Sequence, residues 1–310
     1  MIPQAKKYNI PIYVSDNAST DNTLEVIEHF KKSYPLLYYR TNNQNSGVDQ
    51  NMVAAVKMAS TKYVWAFGSR RILLPGMLDR VHKVLREDGL DLLVLNDPNP
   101  AFAVPNSRYY NSAKEVFREL NRHLTGLGFQ VLPLEAWKTE YILKYANTEW
   151  TIFGVALEFL ASKHDVKAFF ISEPCAESSG MSQWVCRSFQ IWEKWKKVVH
   201  FLPNTYSDED KEFVIKKSVN YLFARPNFDL INLRTKGIYD AEVFQAIYED
   251  LMRYGDLSPN VAYAISRFPI IPLKLYREFL RAVTVFLRMF IRQKARLNPT
   301  QRRLKKVPYD

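Results

Sequence analysis

The chain has 310 residues, 47% of them hydrophobic and 24% charged, with a net charge of +11. This is ordinary globular composition, sized for one large domain or a domain with a helical extension. No apolar run approaches the ~20 residues a membrane-spanning helix needs, and the opening MIPQAKKYNI lacks the apolar core of a signal peptide. Residues 267–310 carry twelve Lys and Arg against Glu278 and Asp310, a net +10 that is nearly the whole excess. The near-neutral remainder argues against a nucleic-acid-binding surface on the main domain. Cys175 and Cys186 fit neither a zinc site nor a disulfide framework. A reduced, cytoplasmic chain is therefore expected.

Ile10 to Ser15, IPIYVS, is a short apolar run between turn residues and predicts a buried strand. DNASTDNT follows, with Leu24, Ile27 and Phe30 at helical spacing behind it. PLLYYR predicts a second strand, Asn42 to Gly47 a polar loop, and Met52 to Ala59 a helix. YVWAF predicts the next strand, Leu78, Val81 and Leu85 a helix, and DLLVLN another strand. Alternating strands and helices predict an α/β fold with a parallel, doubly wound sheet. Residues 97–108 are rich in Pro and Asn and read as a loop, and DVKAFFIS predicts one further strand. From about Gln183 the signals are helical, which places a domain boundary between 1–182 and 183–310.

Two strand ends carry candidate chemistry, because ligands of open α/β sheets bind beyond the carboxyl ends of strands. VSDNASTDNT puts Asp16 and Asn17 at the first of them. Helix capping accounts for Ser19, Thr20 or Asp21, but not for Asp16, whose carboxylate is placed to accept a hydrogen bond from a nucleotide base. In VWAFGSRRILLPG a strand runs into a turn that presents Ser69, Arg70 and Arg71.

VSDNASTDNT, followed by NSGVDQNMVAAVKMASTKYVWAFGS and LLPG, resembles glycosyltransferase family 2, in particular its abequosyltransferase-like branch. The resemblance covers residues 10–100 most clearly and is traceable to about residue 200. It implies a GT-A fold with a mixed sheet, and sugar transfer from a nucleotide-sugar donor to a glycan or lipid-linked acceptor in surface-polysaccharide synthesis. It also implies that Asp16 contacts the base. Asn45, Gly47 and Asn51 match the segment beside the donor, and serve equally well as turn and packing residues.

Three departures follow from the same resemblance. The acidic metal motif is replaced by Ser69, Arg70 and Arg71. Guanidinium groups offer no lone pairs to a cation, so no metal and no other cofactor is expected. Arginine does bind phosphate bidentately, so Arg70 and Arg71 either clamp the diphosphate in a metal-independent enzyme, mark a catalytically inactive binding or scaffold protein, or lie on the surface without a ligand. Next, the catalytic base maps near Phe153 and Gly154, where no carboxylate stands, leaving Glu149 and Glu158 as the acids nearby. Glu149 is the candidate base, against the alternative of a solvated surface glutamate. Finally, family members begin with a strand, a Pro-Thr-Tyr-Asn-like turn and a helix before the strand matching Ile10 to Ser15, whereas only MIP precedes QAKKYNIP.

In LKLYREFLRAVTVFLRMFIRQ, Tyr276, Phe279, Leu280, Val283, Phe286, Leu287 and Phe290 share one helical face. Lys274, Arg277, Arg281, Arg288 and Arg292 lie opposite. Such a segment either packs on the sheet domain or lies in a membrane interface. The excess charge favours peripheral contact with an anionic membrane through 273–306, at the inner face. Trp192 and Trp195 share a helical face and read as packing residues.

Overall fold

A computed structural model describes residues 1–98, 104–178, 188–222, 226–254, 258–279 and 282–283. Its elements in chain order are α1 (Ile2–Lys6), β1 (Ile12–Asp16), α2 (Thr23–Ser33), β2 (Leu37–Thr41), α3 (Val48–Val56), β3 (Tyr63–Trp65), β4 (Arg71–Leu73), α4 (Met77–Asp88) and β5 (Leu92–Asn96). There follow β6 (Arg108–Tyr110), α5 (Ala113–Leu120), β7 (Gln130–Pro133), α6 (Thr139–Tyr145), α7 (Thr151–Ala161), β8 (Ala168–Pro174) and β9 (Ala176–Ser178). The remainder is helical: α8 (Ser188–Phe201), α9 (Asp208–Leu222), α10 (Pro226–Thr235), α11 (Ala241–Tyr254) and α12 (Pro259–Arg267).

Two compact units divide the chain, Met1–Tyr221 and Leu222–Asp310. The first extends past the expected boundary at 182 because α8 and α9 share its core. Trp195 packs 4.6 Å from Phe153 and 4.9 Å from Trp150. The Tyr206 hydroxyl donates to the Leu157 carbonyl at 2.8 Å, and buried Asp210 pairs with Arg118 at 2.6 Å. In the second unit α12 packs on α10 and α11, and the buried Tyr239 hydroxyl donates to the Ala262 carbonyl at 2.9 Å.

The strands of the first unit do not form one sheet. β1 and β2 pair in parallel, in register from Ile12 opposite Leu37 to Asp16 opposite Thr41. A five-stranded sheet has the order β3-β7-β5-β8-β6, and β4 pairs with β9 as a separate antiparallel ribbon. Because β7 runs antiparallel to both β3 and β5, those two are parallel, and β8 is parallel to β5. The carboxyl ends of β3, β5 and β8 therefore share one edge. β5 is flanked on both sides, and Leu92 to Leu95 are fully buried, as expected for a near-continuous apolar run. β1 and β3 each end a sheet, with no described strand on the outer side. Their residues Ile12, Val14, Tyr63 and Trp65 are only partly buried, yet all pack on the core cluster that includes Leu93, Phe129 and Val131.

Local boundaries differ from expectation in three places. α3 starts at Val48 rather than Met52, since Gly47 at φ 82° turns the chain into the helix where a side chain would be strained. On α2 only Ile27 is buried, while Leu24 and Phe30 are exposed. Arg71 does not sit in the turn but opens β4.

Candidate active site

At the carboxyl end of β1, Asp16 is 7% exposed. Its two carboxylate oxygens accept only the Ser19 N–H, each at 3.3 Å, and it makes no ion pair among the described residues. Beside it lies an amide network. Asn17 Oδ1 accepts from Ser46 N–H at 2.9 Å and from Asn42 Nδ2 at 3.1 Å, while Asn17 Nδ2 donates to Asn45 Oδ1 at 2.8 Å. Asn51 Nδ2 donates to the Ser15 carbonyl at 2.9 Å, and its Oδ1 accepts from Ser15 Oγ at 2.7 Å. Asn45 Oδ1 also accepts the Gly47 N–H at 3.0 Å. The structure thus gathers Asp16, Asn17, Asn45, Gly47 and Asn51 into one cluster. The asparagines use their amide groups on one another and on the backbone, tying β1 to the start of α3. Asp16 is left with free acceptor capacity.

The first turn of α3 also grips the loop before α7. Asp49, 7% exposed, accepts the Glu149 N–H at 2.7 Å, and Gln50 Nε2 donates to Asn147 Oδ1 at 3.1 Å. Burial raises the Asp49 carboxyl above the usual carboxylate range, against hydrogen bonds from Glu149 and Thr151. Asn147 and Glu149 both have left-handed backbones, φ 62° and 71°. For glutamate this is strained and persists only where neighbours hold it. The Glu149 side chain is 12% exposed and pairs with Lys194 at 2.7 Å, so it is no solvated surface acid. Phe153 and Gly154, where the base was expected to map, lie inside the buried α7. Glu158 is a packing acid there, accepting from Lys144 and the Tyr145 hydroxyl at 2.6 and 2.8 Å.

The second strand end carries Ser69 and Arg70, both exposed, and Arg71. Arg71 is drawn inward. Its guanidinium lies 4.5 Å from the centre of the Phe129 ring and 3.9 Å from Asp97, with both side chains about one quarter exposed. Asp97 directly follows β5. Its N–H donates to His123 Nδ1 at 3.0 Å, and its carbonyl accepts from Arg122 Nη2 at 2.8 Å. Burial raises the Asp97 carboxyl, with Arg71 and Arg122 pulling it back. His123 is 2% exposed, and burial with the Arg122 and Lys217 charges depresses its pKa to about 3. Cys175 is buried beside this cluster and its thiol is pushed up to about 12. It is inert packing; Cys186 lies outside the described residues.

Ser69, Arg70 and Arg71 offer a divalent cation no carboxylate, and the one nearby, on Asp97, faces Arg71 at 3.9 Å. Hard cations take several oxygen ligands, whereas here two guanidinium groups surround a single carboxylate. No group of three or more His, Cys, Asp or Glu able to hold a metal occurs among the described residues.

Residues 2–132 match the family model of glycosyl transferase family 2. Over that segment the chain is similar to the family 2 glycosyltransferases. Abequosyltransferase RfbV of Salmonella typhimurium is 32% identical over 133 residues, 38% of this chain and 40% of that protein. The alignment thus spans about two fifths of the curated relative's length. Among solved structures, TarS 1-349 of S. aureus superposes with a TM-score of 0.51 at 14% identity, covering 88% of this chain and 82% of that one. A further TarS structure gives 0.50 at 12% identity, over 82% and 49%. At these identities the likeness is one of fold, and the fold is that of GT-A glycosyltransferases.

Asp49, Asp97 and His123 were not among the residues the sequence pointed to. Asp97 was legible as an acid directly after a buried strand. Asp49 and His123 carried no local signal, because their roles come from contacts 100 and 26 residues away.

Proposed function

We propose that this chain transfers a sugar from a nucleotide-sugar donor to a glycan or lipid-linked acceptor in surface-polysaccharide synthesis, without a metal, at the cytoplasmic face of the membrane. The observation that carries the reading is Asp16: a buried carboxylate at a strand end, with unused acceptor capacity, inside the segment that matches family 2. In this reading it accepts a base N–H. Arg71, stacked on Phe129 and steadied by Asp97, binds the diphosphate and stabilises its charge as the glycosidic bond breaks, and Arg70 assists from the exposed turn. Glu149 takes the acceptor hydroxyl proton once Lys194 releases its carboxylate. No nucleic-acid partner is proposed.

The test is titration calorimetry against a panel of nucleotide sugars, followed by nucleoside-diphosphate release with lipid-linked acceptors in the presence and absence of chelator. Donor-dependent heat and chelator-resistant release are expected. Release abolished by chelation refutes the arginine clamp.

One observation favours a second reading, a binding protein that has lost catalysis. Glu149, the candidate base, is engaged by Lys194 at 2.7 Å. Donor binding without release under any acceptor would select this reading.

A further inference from the structure

The second unit exposes an apolar helical face. Residues 270–279 are helical, and Ile271, Leu275 and Phe279 are 73%, 69% and 63% exposed. A spacing of four places them on one stripe, which Val283 continues and Tyr276, also exposed, borders. The opposite side of the helix is anchored within the unit. Leu273 is buried, and Arg277 donates to Thr235 Oγ1 at 2.8 Å. The helix is therefore fixed in rotation with its apolar stripe outward. Tyr276, Phe279 and Val283 of the face read in the sequence are thus exposed, joined by Ile271 and Leu275, and Arg277 on the opposite side is engaged within the unit. Residues 280, 281 and 284–310 lie outside the described residues.

Single exposed apolar side chains are ordinary, but three in register beside exposed Phe268 are a patch. Its described border carries two cations and one acid, Glu278, which is paired with Arg277. Arg267 and Lys274 are exposed at its border, and residues 267–310 hold twelve Lys and Arg against two acids. No helix among the described residues is long and apolar enough to cross a membrane. An apolar stripe bordered by cations on a helix too short to span is suited to lie in a lipid interface, where basic residues add attraction to anionic headgroups. We propose that this face docks on an anionic bilayer, with Ile271, Leu275 and Phe279 entering at the headgroup–acyl boundary and Arg267 and Lys274 meeting headgroup phosphates. The inference stands apart from the catalytic reading and holds equally for an inactive relative.

The test is flotation of the full chain with vesicles of phosphatidylcholine alone or mixed with phosphatidylglycerol. Flotation is expected with the anionic vesicles, weakened by salt, and lowered on the order of 100-fold in partition by the triple change Ile271→Ser, Leu275→Ser and Phe279→Ser. Because all three positions are exposed, the variant should keep the parent's thermal midpoint. Leu143→Ser, at an equally exposed leucine of the first unit (69%), should float like the parent. Undiminished flotation of the triple variant overturns the docking face, since charge alone would then hold the chain. Absence of parent flotation also overturns it. In that case sedimentation velocity tells whether a second copy covers the face, as a dimer that the triple change returns to monomer.

Discussion

Mild acid should destabilise the first unit through His123. The imidazole is 2% exposed, its Nδ1 accepts the Asp97 N–H at 3.0 Å, and its ring lies 5.0 Å from that of Phe170. Accepting at Nδ1 requires the neutral tautomer with its proton on Nε2. Burial first, then the charges of Arg122 and Lys217, lower the pKa from 6.5 to about 3. The unfolded chain thus binds a proton near pH 6.5 that the folded chain refuses until near pH 3. This contribution is fully present above pH 6.5 and is lost as pH falls, by about 1.4 kcal/mol per unit. Between pH 6.5 and 4.5 the loss is roughly 2.3 kcal/mol, a large part of a typical folding free energy. The carboxyls of Asp49 and Asp97, raised by burial, slope the opposite way in the acid range, so the parent's profile alone does not isolate the imidazole. Comparison with His123→Asn does, because Oδ1 of asparagine keeps an acceptor for the Asp97 N–H and cannot take the proton. That variant loses ring packing on Phe170, a pH-independent cost of about 1–3 kcal/mol. Urea unfolding from pH 7 to 4.5 should show the parent more stable at neutrality, with the gap shrinking by roughly 2–3 kcal/mol in acid. A gap that stays constant with pH refutes the neutral, buried imidazole.

Asp16→Asn should fold normally and lose about 10- to 100-fold in donor affinity by calorimetry, the worth of a hydrogen bond to a charged acceptor; unchanged affinity removes Asp16 from the donor site. Arg71→Ala should lower the transfer rate by about 100- to 1000-fold. Arg71→Lys should recover only part of it, because an ammonium cannot reproduce a bidentate contact. Gly154→Ala should destabilise the fold by about 3 kcal/mol or more in urea. Its Cβ would lie 2.3 Å from the base of the Tyr145 ring, which is buried and hydrogen-bonded to Glu158 and cannot swing aside.

The βα alternation and the strand-end position of Asp16 were legible because each rests on local pattern: an apolar run, then a turn. Arg71 read as part of such a turn but opens β4, since its pairing with β9 lies about 100 residues away. The start of α3 was not legible, since the polar run Asp49 to Asn51 interrupts the apolar periodicity while the backbone turn at Gly47 decides the boundary. Glu149 reads locally as a surface acid. Its burial comes from Asp49 and Lys194, 100 and 45 residues distant in sequence. The exposure of Leu24 and Phe30 has the same origin, as helical spacing identifies a face but not whether anything covers it.

The two halves of the candidate site stand on different sheets. Asp16 belongs to the β1–β2 pair, whereas Asp97 follows β5 of the five-stranded sheet and Arg71 opens the separate β4–β9 ribbon beside it, and no described ladder joins β1 to β3. In a continuous sheet, backbone hydrogen bonds would fix neighbouring strand ends at ~4.8 Å spacings. Here side-chain packing does that work: Ile12 and Val14 from one sheet, and Trp65 and Phe67 from the other, meet the cluster around Phe129 and Val131. Phe129 is also the ring beneath the Arg71 guanidinium. A substitution that shrinks Phe129 would therefore loosen the arginine and the junction between sheets together. Phe129→Leu should cost about 1–3 kcal/mol of stability and lower transfer more than donor affinity, because binding at Asp16 needs only its own sheet while phosphate stabilisation needs both. Equal loss of donor affinity and rate would mean that the donor is held on one sheet alone.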